Sequence, residues 1–269
     1  MEIASLILAM LLTGAVGGVL AGLLGVGGGI VIVPVLEIAL SFIGVDASVR
    51  MHIAVATSLA TIIPTSISSA RAHYQRDSID FPVIRYWSPW IVIGAIAGIV
   101  IAANVGAEFL AAVFAIVALA VAIKMALPLD DTNLAEDIPR GIFGPVIPMA
   151  IGVISTLMGI GGGTLSVTAL TLSGKHIHLA VGTAALFGLV IALPATLGYV
   201  ISGWGNPLLP PASLGYVNLL GFIVIASTTV LFAPLGARIA HALSRRHLSA
   251  LFGLFLFVVA VRMGLRAFA

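Results

Sequence analysis

The chain has 269 residues, 61% of them hydrophobic and 8% charged, with a mean hydropathy of +1.23. A soluble domain carries about 25% charged residues, so this composition excludes one and points to an integral membrane protein. The net charge of +2 is what topology-setting basic residues produce, nucleic acid is not an expected partner, and the absence of cysteine excludes disulfides and thiolate metal sites.

The first apolar run covers residues 3–23 and meets the stretch GLLGVGGGIVIVPVL, Gly22 to Leu36. Its leading residues Met1 and Glu2 include no Lys or Arg, and no A-x-A-like site follows, so it is expected to stay in the mature protein rather than act as a signal peptide. Glycine is hostile to helix interiors, so the core Gly25 to Gly29 predicts a break in an apolar helix. Residues 3–43 then form a re-entrant hairpin, entering and returning on one side. Glu37 lies on the returning arm and is the candidate carrier of a coupling proton, although Ser41 and Asp46 just after it favour the arm's surface end. Full spans are expected at 51–70, 86–104 and 107–127, each long enough for about 30 Å of hydrocarbon. No barrel-type alternation occurs, so these are helices. The connection Arg71 to Arg85 is basic, and Arg71, His73 and Tyr74 read as a cytoplasmic flank. Residues 128–141 bring together Pro128, Pro139 and the acids Asp130, Asp131, Glu136 and Asp137, which is linker composition.

The second half repeats this order. The run 142–158 meets LMGIGGGTLSVTAL, Leu157 to Leu170, and aligning Gly25 with Gly159 also aligns Gly29 with Gly163. HLAVGTA, His178 to Ala184, matches HIAVATS, His52 to Ser58, and ALFGLFLFVVAVRMGL, Ala250 to Leu265, matches AVFAIVALAVAIKMAL, Ala112 to Leu127. Three matches in one order favour duplication. Loop charge then sets the relative orientation. The counterpart of the basic Arg71–Arg85 connection, Gly203 to Ser213, holds no Lys or Arg, whereas the following connection gains Arg238, Arg245 and Arg246. Equivalent loops are therefore expected on opposite sides of the membrane. With basic loops in the cytoplasm, Arg140 and Lys175 put both ends of 142–173 inside, a second re-entrant hairpin, followed by spans at 179–202, 214–236 and 248–267. The fold predicted is an all-α membrane protein of two inverted repeats, 1–127 and 142–269, joined by 128–141. Each repeat is a glycine-broken hairpin plus three transmembrane helices.

Irregular backbone is tolerated at membrane depth only inside protein or along a wet cavity, and matched breaks in inverted halves point to a transport site. Helices beginning at the breaks would turn free N–H groups and positive dipole ends toward the centre, which suits a small anion. The substrate-binding candidates are Gly25, Gly27, Gly28, Gly29, Gly159, Gly161, Gly162 and Gly163, with the hydroxyls of Thr57, Ser58, Thr164 and Thr183. Ser166 and Thr168 follow the second break as well. Close helix packing is the competing reading of the glycines, and back-bonding to helix carbonyls that of the hydroxyls. His176 and His178, two apart, read as interfacial loop residues, so no metal site, cofactor or catalytic group is expected. No Walker A motif is present, and neither H-E-x-x-H nor a nucleophile with a base at helical spacing suggests an enzyme.

The paired GVGGGIVIVPVL and GIGGGTLSVTAL, each followed by AVATS or AVGTA, with the ending FGLFLFVVAVRM, resemble the TauE/SafE family of sulfite and organosulfonate exporters, also called TSUP permeases. The resemblance spans nearly the whole chain. It implies a multi-pass permease of the bacterial inner membrane that exports small sulfur-containing anions such as sulfite or organosulfonates. With the breaks at the centre, secondary transport by alternating access is the expected mechanism; an anion channel, a carboxylate permease and, last, an intramembrane enzyme are the alternatives. Thr168 stands where the first repeat has Pro34, and Ala184 where it has Ser58, so the two halves are not expected to contribute identically. Oligomeric state stays open, a homodimer included.

Overall fold

A computed structural model describes residues 3–24, 28–126, 141, 144–242 and 245–267. Among these residues the chain is a helical bundle: α1 Ile3–Leu24, α2 Gly29–Phe42, α3 Ala47–Tyr74, α4 Phe81–Ala103, α5 Ala107–Ala126, α6 Val146–Met158, α7 Gly163–Leu172, α8 Ile177–Ser202, α9 Leu219–Ala242 and α10 Arg245–Ala267. α3, α4, α8 and Ala107–Lys124 of α5 are long and apolar enough to cross a membrane. Large apolar side chains stand exposed on the outer surface, among them Ile96, Leu197, Ile201, Leu231 and Leu265. Such a surface suits lipid rather than water.

Local chemistry sets the helix limits. α3 is capped by Asp46, whose carboxylate accepts from Ser48 N at 2.9 Å and from Ser48 Oγ at 2.5 Å. Those two bonds, side chain first, hold the Asp46 carboxyl below the usual carboxylate range. α3 is longer than the apolar run 51–70 because hydropathy marks the part suited to lipid, whereas the cap and backbone hydrogen bonds mark the helix. α9 begins later than the predicted 214, since residues 213–218 form an antiparallel ribbon of β1 Ser213–Leu214 and β2 Val217–Asn218, pairing Ser213 with Asn218. Pro210 and Pro211 precede it and Gly215, at φ 55°, supports its turn. The predicted linker falls almost wholly outside the described residues.

α3 is the buried centre, with Met51, Ile53, Ala54, Val55, Ala56 and Leu59 sealed from solvent. Contacts along it define the two ends of the bundle. Near its start, His52 Nε2 lies 3.2 Å from Ala102 O, the His52 ring stacks on Tyr216 at 4.8 Å, and Arg266 donates to Ala47 O at 2.8 Å. Asp80, just beyond its end, lies against Thr183 and Lys175 at the start of α8. α3 and α8 thus pack antiparallel, and α4 and α9 start from opposite ends of the bundle.

Small residues let neighbouring helices approach closely. Gly14 and Gly18 of α1 lie against Ile225, Thr228 and Thr229 of α9, while Gly94 and Gly98 of α4 lie against Met149, Val153 and Thr156 of α6. In both pairs the contacts advance in the same direction along the two chains, so α1 runs parallel to α9 and α6 parallel to α4. α2 packs on α3, α7 on α8, and α5 on α10. Renumbering each of α1–α5 as its counterpart in α6–α10, and the reverse, maps these principal pairings onto one another.

Candidate functional site

The second glycine stretch separates α6 from α7. Gly159 caps α6 at φ 70°, Ile160 N donates back to Ser155 O at 3.1 Å, and Gly162 at φ 68° precedes α7. The chain takes a positive φ at both ends of this four-residue break, a backbone state that side-chain-bearing residues rarely adopt. This break is clamped by α3 and α8. Ser58 Oγ of α3 donates to Gly159 O at 2.8 Å, and a methyl group on Gly159 would lie 2.9 Å from Val55 Cα. On Gly161 it would lie 2.7 Å from Ile62 Cγ2 and 3.3 Å from Gly188 Cα of α8. Irregular backbone is thereby enclosed by protein.

The first stretch meets the second. Gly28, at φ 77°, precedes α2, and a methyl group on Gly29 would lie 2.8 Å from Gly159 O and 3.1 Å from Ile160 Cα. Gly25 and Gly27 lie outside the described residues. The structure therefore brings together Gly28, Gly29, Ser58, Gly159, Gly161, Gly162 and Gly163, with α2 and α7 both beginning there. Thr164 is half-buried on the first turn of α7.

Thr57 and Thr183 are turned elsewhere, in matching ways. Thr57 Oγ1 accepts from Asn218 N at 3.1 Å, and Thr183 Oγ1 accepts from Asp80 N at 2.9 Å. Asn218 and Asp80 are the residues just before α9 and α4. Asn218 Oδ1 accepts from Gly221 N at 2.8 Å and Asp80 Oδ1 from Val83 N at 3.1 Å, so each caps its helix three residues ahead. Each threonine thus ties a helix of one half to a helix start of the other.

Glu37 is 1% exposed because the C-terminal part of α10 covers it, and its partner Arg266 also reaches Ala47 O at the start of α3. Arg266 donates to Glu37 Oε1, and Arg262 lies 3.8 Å from Oε2. Lys124 of α5 donates to Thr168 of α7 at 3.1 Å. α2 and α7 are thus each held by a basic side chain, Arg266 of α10 and Lys124 of α5. Sequence reasoning passed over Ser155 and Thr156, which are buried in the last turn of α6; two adjacent hydroxyls just ahead of a glycine break in an apolar helix were the available signal.

Residues 10–263 match the family model described as sulfite exporter TauE/SafE. The chain belongs to that family. Among related proteins, a probable membrane transporter protein of Haemophilus influenzae is 37% identical over 97% of this chain and 98% of its own length. One of Methanocaldococcus jannaschii, also named a probable membrane transporter protein, is 27% identical over 89% of this chain and 88% of its own. No solved structure matches the chain. As a TauE/SafE protein with several long apolar helices, it is a multi-pass membrane protein of a transporter family.

Proposed function

We propose that this TauE/SafE protein is a secondary transporter that exports small sulfur-containing anions, sulfite or organosulfonates, across the bacterial inner membrane by alternating access. The observation that carries the reading is the contact of Gly29 with Gly159 and Ile160, which sets the start of α2 against the break from which α7 begins a few residues later. Val31 and Ile32 N of α2 and Ser166 N of α7 already bond to the residue before each helix. The amides ahead of them, Gly29 and Ile30 in α2 and Gly163, Thr164 and Leu165 in α7, have no acceptor within their own helices, and both helices turn the positive ends of their dipoles toward this region. A sulfonate or sulfite group matches this arrangement without a buried Lys or Arg, whose charge would hold the anion too tightly to release it. The family's description as sulfite exporters favours sulfur oxyanions over carboxylates.

The halves 1–127 and 142–269 act, in this reading, as inverted repeats that rock about this contact. The opposed starts of α4 and α9 and the exchange pattern of helix pairings support it. The site comprises Gly25, Gly27, Gly28 and Gly29 with Gly159, Gly161, Gly162, Gly163 and Thr164, while Ser58, Thr57 and Thr183 brace it.

Flux measured in proteoliposomes, with sulfite, sulfate, sulfoacetate, taurine and acetate offered separately, tests the proposal. Saturable transport of a sulfur oxyanion is the expected result. Unitary currents far above carrier rates would replace it with a channel, and flux of acetate alone would replace the substrate class.

A further inference from the structure

Ser155 and Ser166 are both 0% exposed, and neither hydroxyl has a hydrogen-bond partner. They come from opposite sides of the second break, one on the last turn of α6 and the other on the first turns of α7. A methyl group on Gly162 would lie 3.4 Å from Ser155 Oγ and 3.5 Å from Ser166 Oγ, so the hydroxyls converge on the space in front of this glycine. Ile191 Cδ1 of α8 fills that space and would collide with the methyl group. It is the tip of a flexible side chain, so a rotamer change is enough to vacate it.

A buried hydroxyl without a partner costs stability, and two facing one glycine call for a reason. The N-terminus of α7 supplies it. Ser166 N is bonded to Gly162 O at 2.7 Å, but the amides of Gly163, Thr164 and Leu165 precede the first position that finds an acceptor within the helix. Hydroxyl and amide donors gathered beside a positive dipole end are suited to the oxygens of an anion. The first break lacks this equipment: in the alignment of Gly25 with Gly159, Ser155 corresponds to Ala21, Thr164 to Ile30 and Ser166 to Ile32.

We propose that the oxyanion seat belongs to the second break alone: Ser155 Oγ, Ser166 Oγ and the first-turn amides of α7 receive one sulfite or sulfonate group, and Ile191 covers the seat when it is empty. The first break contributes backbone packing and the moving surface. This inference rests on the transport reading and narrows it, since it makes the two halves unequal partners in binding.

The test uses the full-length purified protein with sulfite, sulfoacetate and acetate as probes, measuring both anion-dependent thermal shift and proteoliposome flux. Ser155→Ala and Ser166→Ala should each raise the half-saturating sulfite concentration about tenfold or more, the loss expected for a hydrogen bond to a charged group. Without anion, their melting temperatures should equal or exceed that of the unmodified protein, because an unpartnered hydroxyl has been removed. Ser155→Cys and Ser166→Cys nearly keep the volume while weakening the donor, and serve if an alanine variant fails to fold. Unchanged half-saturation in the variants, with sulfite still bound and carried by the unmodified protein, overturns the seat and leaves the transport reading standing. Binding without flux sustains the seat and overturns the transport reading. An unmodified protein that neither binds nor carries any probe overturns both.

Discussion

Glu37 illustrates how one side chain's role depends on what reaches it from far along the sequence. Read alone it is an acid in an apolar arm; in the bundle it faces Arg266 and Arg262 of α10. Removing one partner from a buried pair costs about 3–5 kcal/mol, and the 20% exposure of the Arg266 side chain moves the expectation to the lower end. Glu37→Gln should therefore lower the melting temperature clearly, and Glu37→Gln with Arg266→Gln should cost less than the sum of the two, which a double-mutant cycle measures. Proton coupling through Glu37 demands something different, a flux that no longer varies with pH in Glu37→Gln. A purely structural pair leaves the pH profile of the remaining flux unchanged. Gly162 makes a second residue-scale case. Gly162→Ala must hold alanine at φ 68°, costing about 1–2 kcal/mol, and must also displace Ile191. Its melting temperature and sulfite affinity should fall together, and adding Ile191→Ala should recover part of the stability because the collision is removed while the backbone strain stays.

At the scale of elements, helix starts are tied to the opposite half by matched threonines. Thr57 satisfies the amide of Asn218 ahead of α9, and Thr183 that of Asp80 ahead of α4. Thr57→Val would leave a fully buried N–H without a partner, at about 1–3 kcal/mol. Thr183→Val should cost less, because its bond is only partly buried. Melting temperatures of the two variants check the order. Asp80 carries more than its cap, since Lys175 Nζ lies 3.1 Å from Oδ2. Asp80→Asn keeps the cap geometry and loses the ion pair, so its stability loss should be small, below about 1 kcal/mol for a pair that water reaches. Asp80→Ala loses the cap as well and should lose about 1 kcal/mol more.

For the whole molecule, the two ends of the bundle translate into a sidedness that labelling can read. By the rule that positive loops face the cytoplasm, we propose that Arg76 and Arg245 lie inside and Trp204 outside. The α8–α9 connection, the α4–α5 turn and the Arg266 end of α10 gather at one end of α3, while Asp80 and Lys175 gather at the other. The chain has no cysteine, so single cysteines report without interference. An impermeant thiol reagent added outside intact cells should label Trp204→Cys and spare Arg76→Cys. Labelling in the opposite sense would invert the map and, with it, the direction assigned to transport.

The sequence by itself determined what depends on composition and on neighbours along the chain. Hydropathy called for helices in lipid, glycine chemistry located the interruptions at Gly159 to Gly163 and ahead of Gly29, and the motif order carried the TauE/SafE resemblance. Those signals are local, or repeat in linear order, so no folding is needed to read them. Only the tertiary structure decided which groups meet. It set Gly29 on Gly159, turned the Thr57 and Thr183 hydroxyls toward capping residues of the other half, buried Glu37 beneath Arg266, and left Ser155 and Ser166 facing Gly162 without partners. A hydroxyl in an apolar helix has the same sequence signature whether it bonds its own helix, another helix or a ligand. The choice among these is made by helix rotation and by what packs opposite, and both are properties of the assembled bundle.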